Sequence, residues 1–204
     1  MDIINKVSGH NISITNLSKG EVQSDFVIIH LSTNLNKGSV YILSMKYTKI
    51  EKPDEDWYTD YYGESNAFHY NNGVYYTDMM PIYARTVFPC FDEPSFKSVF
   101  NITLRRPKNM ISISNMPVKQ TITPGSSEDF VYDIFESTPL MSTYLVAFVI
   151  TNYKKETIPS NNTQLKIWTS EKDKSKTWLA RSASSTLYGY LDQYFGKNLP
   201  ITKQ

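Results

Sequence analysis

The chain has a single cysteine, Cys90, so it forms no internal disulfide and cannot alone build a thiolate metal site. Its three histidines, His10, His30 and His69, are far apart, and none belongs to the H-E-x-x-H pattern that places two imidazoles on one helix face. Glycine is scarce and scattered, which removes a Gly-rich phosphate loop, and no G-x-S-x-G nucleophile elbow occurs. The net charge of +1 lacks the basic excess of a nucleic-acid or anionic-membrane binder, so no nucleic-acid partner is expected. No apolar run approaches the roughly 20 residues of a membrane-spanning helix. The opening M-D-I-I-N-K has no apolar signal-peptide core. The residues alone reveal no catalytic apparatus.

What is present favours strands. The 204 residues include 15 tyrosines and 10 phenylalanines, and alternating segments recur along the first five-sixths of the chain. Residues 11–15, 22–31 and 39–48 read as strands, the last with Tyr41, Leu43, Met45 and Tyr47 on one face. N-L-N-K-G over residues 34–38 is turn chemistry, so the second and third strands are expected to form a hairpin. Residues 50–62 read as an acidic surface loop with an aromatic tail. Asn71-Asn72-Gly73 is a tight turn before a strand at 74–77. Further strands are expected at 99–104, ended by Arg105-Arg106-Pro107, and at 110–114 and 130–135. The apolar run 143–150 reads as a fully buried central strand, and 165–168 closes the β part. Asn11, Asn16, Asn101 and Asn161 open N-x-Ser/Thr sequons, a weak pointer to secretion.

The period changes after Ser170. Ala180, Ala183, Leu187, Leu191 and Tyr194 recur at steps of three and four, so residues 174–195 read as an amphipathic helix. Ser170 to Asp173 resembles a capping box, and Gly196 suits a C-terminal stop. Such a stripe has no core of its own. It must pack on the β domain or meet a partner.

The densest chemistry lies in Y-A-R-T-V-F-P-C-F-D-E-P at residues 83–94. Two prolines forbid a regular ladder and make it a rigid bend, while Phe88, Cys90 and Phe91 draw it toward a core. A charge drawn in with them needs a partner, so Arg85 is expected to pair with Asp92 or Glu93 as a structural corner. Cys90, among aromatics, reads as an inert thiol.

This bend, continued by S-F-K-S-V-F-N-I-T-L to Leu104, closely resembles the A-R-x-x-F-P-C-F-D-E-P signature in the N-terminal domain of zinc aminopeptidases of the aminopeptidase N type. S-N-M-P at 114–117, T-P-L-M-S-T-Y-L-V-A-F at 138–148, L-K-I-W at 165–168 and Y-F-G to L-P-I-T-K at 194–203 resemble further segments of that family in register. The resemblance implies a mainly β fold, a saddle-like antiparallel β-sandwich over residues 1–170 whose first strands are missing. Residues 171–204 then correspond to the opening helix and loop of a largely missing catalytic domain.

The resemblance also implies a function and its limits. The parent family uses zinc to hydrolyse N-terminal residues from peptides, through G-x-M-E-N and H-E-x-x-H motifs that this chain does not contain. No catalytic residue, metal ligand or cofactor is therefore expected here. The family's first domain anchors the substrate ammonium with a T-Q-x-[QE] tetrad, which reads Thr77-Asp78-Met79-Met80 in this sequence. Met80 occupies the anchoring position, where a thioether makes no charge-assisted bond, and Asp78 stands in as the nearby carboxylate. Two expectations follow: the non-catalytic N-terminal part of a metalloaminopeptidase, or a catalytically dead homologue that binds peptides or proteins. The expected partner of the C-terminal helix is a catalytic domain or another protein. The resemblance favours an extracellular or plasma-membrane ectodomain.

Overall fold

A computed structural model describes residues 1–20, 26–48, 67–125, 129–158 and 165–196. The loop expected at 50–62, the sequon at Asn161 and the family-like stretch after Gly196 lie outside them, as does part of the strand expected at 22–31. The chain forms two compact units, Met1–Asp54 and Glu55–Gln204.

In the first unit, β1 (Asp2–Asn5) lies between β2 (Asn11–Ile12) and β5 (Tyr41–Ser44), both antiparallel to it. Ile3 sits opposite Ile12 on one side and Leu43 on the other, and Ile3 and Ile12 are buried. β3 (Ile14–Lys19) and β4 (Val27–Leu31) form a separate antiparallel pair. The expected hairpin between the second and third strands is therefore wrong. Gly38 does take a left-handed φ of 82°, yet the segment it bends is a crossover from β4 to β1's partner strand. Turn residues recorded a bend but not which strand waited beyond it.

Among the described residues, the second unit holds three antiparallel sheets. β6 (Phe68–Asn71) and β7 (Val74–Thr77) form a hairpin across Asn72 and Gly73, both at positive φ, the conformation the Asn-Gly pair adopts most easily. β12 (Phe148–Thr151) pairs with β7 on one side and β9 (Ile111–Ser114) on the other, giving a four-stranded sheet in the order β6-β7-β12-β9. A second sheet runs β10 (Val118–Ile122), β11 (Phe130–Phe135), β8 (Thr103–Pro107). β13 (Lys154–Ile158) and β14 (Leu165–Thr169) form a two-stranded sheet.

Two strand expectations need correction. The strand expected at 99–104 lies later, with Arg105, Arg106 and Pro107 inside β8 opposite Tyr132, Val131 and Phe130 of β11. The run 143–150 is not one strand. Thr143–Leu145 is a 3-10 turn, and only Phe148–Thr151 joins the ladder. The cause is tertiary: the Ser142 hydroxyl donates to the Pro94 carbonyl at 2.7 Å and Thr143 to the Phe91 carbonyl at 3.2 Å, tying this stretch to the bend.

The core beside the bend is built on Ala67, Met79, Ala84 and Val146, with Phe88, Cys90, Phe100, Met141 and Phe148 packed against it. After β14, Ser170 caps a 3-10 segment (Glu171–Thr177) by accepting from the Asp173 backbone N–H at 3.3 Å. The helix α1 (Trp178–Phe195) follows and stops at Gly196, which takes the left-handed φ of 62° suited to a helix end. No residue of α1 is buried, and Leu187, Leu191 and Tyr194 of its stripe are exposed.

Candidate functional site

Val74–Thr77 ends at the foot of the bend, and the next residues alternate in direction. Asp78 is exposed, its backbone N–H donating to the Ala67 carbonyl at 2.8 Å. Met79 is fully buried in the core, and Met80 is 62% exposed before a cis bond to Pro81. Of the two methionines, Met79 is the packing residue. Asp78 and Met80 thus both present side chains to solvent on the approach to the corner.

The corner itself is a 3-10 turn (Ala84–Thr86) with Ala84 at its buried centre. Arg85 Nε donates to Asp92 Oδ2 at 2.9 Å, and the Arg85 backbone N–H donates to the same oxygen at 3.1 Å. A second guanidinium nitrogen reaches the Asp92 main-chain carbonyl at 3.2 Å. The grip therefore spans a side chain and its backbone, and it fixes the chain on both sides of Pro89. Asp92 is largely covered, its side chain 5% exposed, while 34% of the Arg85 side chain remains in solvent. Glu93 is exposed, and its carbonyl accepts from the Phe96 N–H at 3.0 Å. Burial and the Asp92 carboxylate push the Cys90 thiol up to about 11, with Arg85 opposing them in part. At neutral pH that thiol keeps its proton and is a poor nucleophile.

The more deeply buried charges lie elsewhere. Asp133 of β11 has a side chain 2% exposed, and Arg106 of β8 grips it with two parallel bonds, Nε to Oδ2 at 2.5 Å and a terminal nitrogen to Oδ1 at 3.2 Å. Ser112 of β9 donates to Oδ2 and Thr121 of β10 to Oδ1, both at 2.6 Å. Arg106 also donates to the Met110 carbonyl at 2.6 Å. Four strands from two sheets therefore converge on one carboxylate. Burial alone would raise the Asp133 pKa, but the bonds from Arg106, Ser112 and Thr121 outweigh it and hold the carboxyl below its usual range. Sequence reasoning missed this clamp. Its signal was available: along β11 the buried positions are Val131, Asp133 and Phe135, and a carboxylate on an apolar face requires a cation.

Both carboxylates are paired with an arginine, and among the described residues no group of three or more His, Cys, Asp or Glu side chains could hold a metal ion. No described helix is long and apolar enough to cross a membrane.

The fold defines the class, a mainly β module of several antiparallel sheets followed by one helix. Residues 2–145 match the Peptidase M1 N-terminal domain, and the chain belongs to that family. It is 35% identical over 150 residues to aminopeptidase N of Bos taurus, covering 71% of this chain and 15% of that protein. It is 32% identical over 198 residues to aminopeptidase A of Gloydius brevicauda, covering 96% of this chain and 20% of that protein. Endoplasmic reticulum aminopeptidase 2 of Homo sapiens is 38% identical over 128 residues, covering 62% of this chain and 13% of its own length. The chain thus spans a fifth or less of the length of these relatives. It is a peptidase-related N-terminal module.

Proposed function

We propose that this chain is the non-catalytic N-terminal part of a zinc metalloaminopeptidase-like protein, shaping one wall of a peptide cleft whose metal chemistry belongs to another domain. The observation that carries the reading is the family match over residues 2–145, in a sequence without H-E-x-x-H or G-x-M-E-N. In this reading residues 1–170 are the β module and residues 171–204 open a catalytic domain. The exposed stripe of α1 is the surface that such a domain covers. Asp78 and Met80, both solvent-facing before the corner, face the substrate's amino terminus. The ammonium then has a carboxylate available only at Asp78, because a thioether offers at best a weak acceptor. The substrates are peptides, and nucleic acid is not a partner. The protein works as an extracellular or plasma-membrane ectodomain.

Met80 favours a second reading, a homologue that has lost catalysis and serves as a peptide-binding or protein-interaction module. Two tests separate these. Purified 1–204 should release no chromophore from an aminoacyl chromogenic substrate, with or without added zinc. Metal-dependent turnover by this chain would overturn both readings. Reading the transcript past the codon for Gln204 then discriminates between them. In-frame G-x-M-E-N and H-E-x-x-H motifs support the first, and a continuation without zinc ligands supports the second.

A further inference from the structure

Helix α1 meets β13 and β14 without burying any of its own residues. What spans the contact is charge. Glu156, on β13, has a side chain only 17% exposed and faces two cations: Lys174 Nζ at 3.7 Å from Oε1 and an Arg181 terminal nitrogen at 3.3 Å from Oε2. Lys174 lies in the 3-10 segment and Arg181 in the first turn of α1, so one carboxylate bridges the junction where the helix type changes. Oε2 is buried and accepts no hydrogen bond among the described residues, leaving the ionic contact as its compensation. A third pair, Lys154 Nζ to Glu171 at 3.2 Å, lies on the exposed side of the same junction.

We infer that Glu156 is an electrostatic latch that sets the direction of α1 against the β13–β14 hairpin, and that ionic screening releases the helix without melting it. Three physical points support this. Apolar burial, the usual way a helix is held, is limited here because no α1 residue is fully buried and Leu187, Leu191 and Tyr194 of its stripe stay exposed. Ion pairs with one exposed partner are individually weak and sensitive to salt, and the Debye length shrinks to about 3 Å at 1 M. One carboxylate also meets a cation from each helical segment, Lys174 and Arg181, so the latch holds both sides of the junction. Ser170 caps the 3-10 segment that runs into α1 and Gly196 stops the helix, so neither end of the helical run is held by Glu156.

The test is a pulsed electron–electron distance measurement on the full chain. Spin labels go on Lys155→Cys in β13 and Gln193→Cys in α1, both exposed sites, in a Cys90→Ala background. At low salt a single narrow distance is expected. At 1 M NaCl, or in Glu156→Gln at low salt, the docked-to-undocked ratio should fall about fivefold, with the helical circular dichroism signal unchanged. A narrow distance that persists in both cases would show that packing, not charge, orients the helix and would overturn the latch. If Glu156→Gln fails to fold, the salt titration of the unsubstituted carboxylate decides alone.

Discussion

Among the described residues, two arginine–aspartate pairs lie in the second unit, and they differ in nearly every respect. Arg85 and Asp92 are seven residues apart in sequence, close a local bend, and leave a third of the arginine in solvent. Arg106 and Asp133 are 27 apart, belong to neighbouring strands, and are almost wholly covered. The first joins a corner to itself. The second gathers Ser112 and Thr121 as well, so it ties two sheets together. The pair that stands out in the sequence is therefore the more exposed one, and the pair that joins the two sheets is spread over four strands.

The comparison can be broken most sharply at Asp133. Replacing it with Ala strands the Arg106 charge and the buried Ser112 hydroxyl in a covered site, and a loss of about 3–5 kcal/mol is expected in urea titration. Asp92→Ala should cost less, about 1–2 kcal/mol, because solvent can take over part of the Arg85 guanidinium. Losses in the reverse order would contradict the burial seen here.

Acid gives an independent handle. The Asp133 carboxyl is held below its usual range, so its stabilisation is complete above the unfolded-state value of about 4 and disappears as pH falls through the lower folded-state value. Stability of the unsubstituted chain should therefore drop below about pH 4, and the Asp133→Ala chain should show a shallower acid limb over that window. An acid limb of equal steepness would assign the transition to other carboxylates.

The smallest effect is expected where neither clamp is involved. Ser170→Ala removes the acceptor for the Asp173 N–H and should cost about 0.5–1 kcal/mol, read as fraying at the start of the 3-10 segment by amide exchange. Fraying that spreads into β13 or β14 would mean that the cap also orders the hairpin.

The same contrast explains what could be read in advance. Local chemistry was legible: the Asn72-Gly73 hairpin, the Ser170 cap, the Gly196 stop and the corner at Arg85 each depend on residues within a few positions. Pairings made across the chain were not. β5 joins β1 rather than β4, because turn residues fix a bend and not its destination. Thr143 leaves an apolar run for a 3-10 turn because its hydroxyl bonds the Phe91 carbonyl, a partner 52 residues away. Asp78 and Met80 were singled out from the motif alone. Their outward direction was not legible, because it follows from Met79 filling the core between them.

Double-mutant cycles on the two pairs test most directly the claim that the family signature marks a corner while the sheet clamp holds the fold. Arg106→Met with Asp133→Ala should show a coupling energy severalfold larger than Arg85→Met with Asp92→Ala, each measured by urea unfolding of the 1–204 chain. Equal couplings, or a larger one at Arg85 and Asp92, would contradict the account.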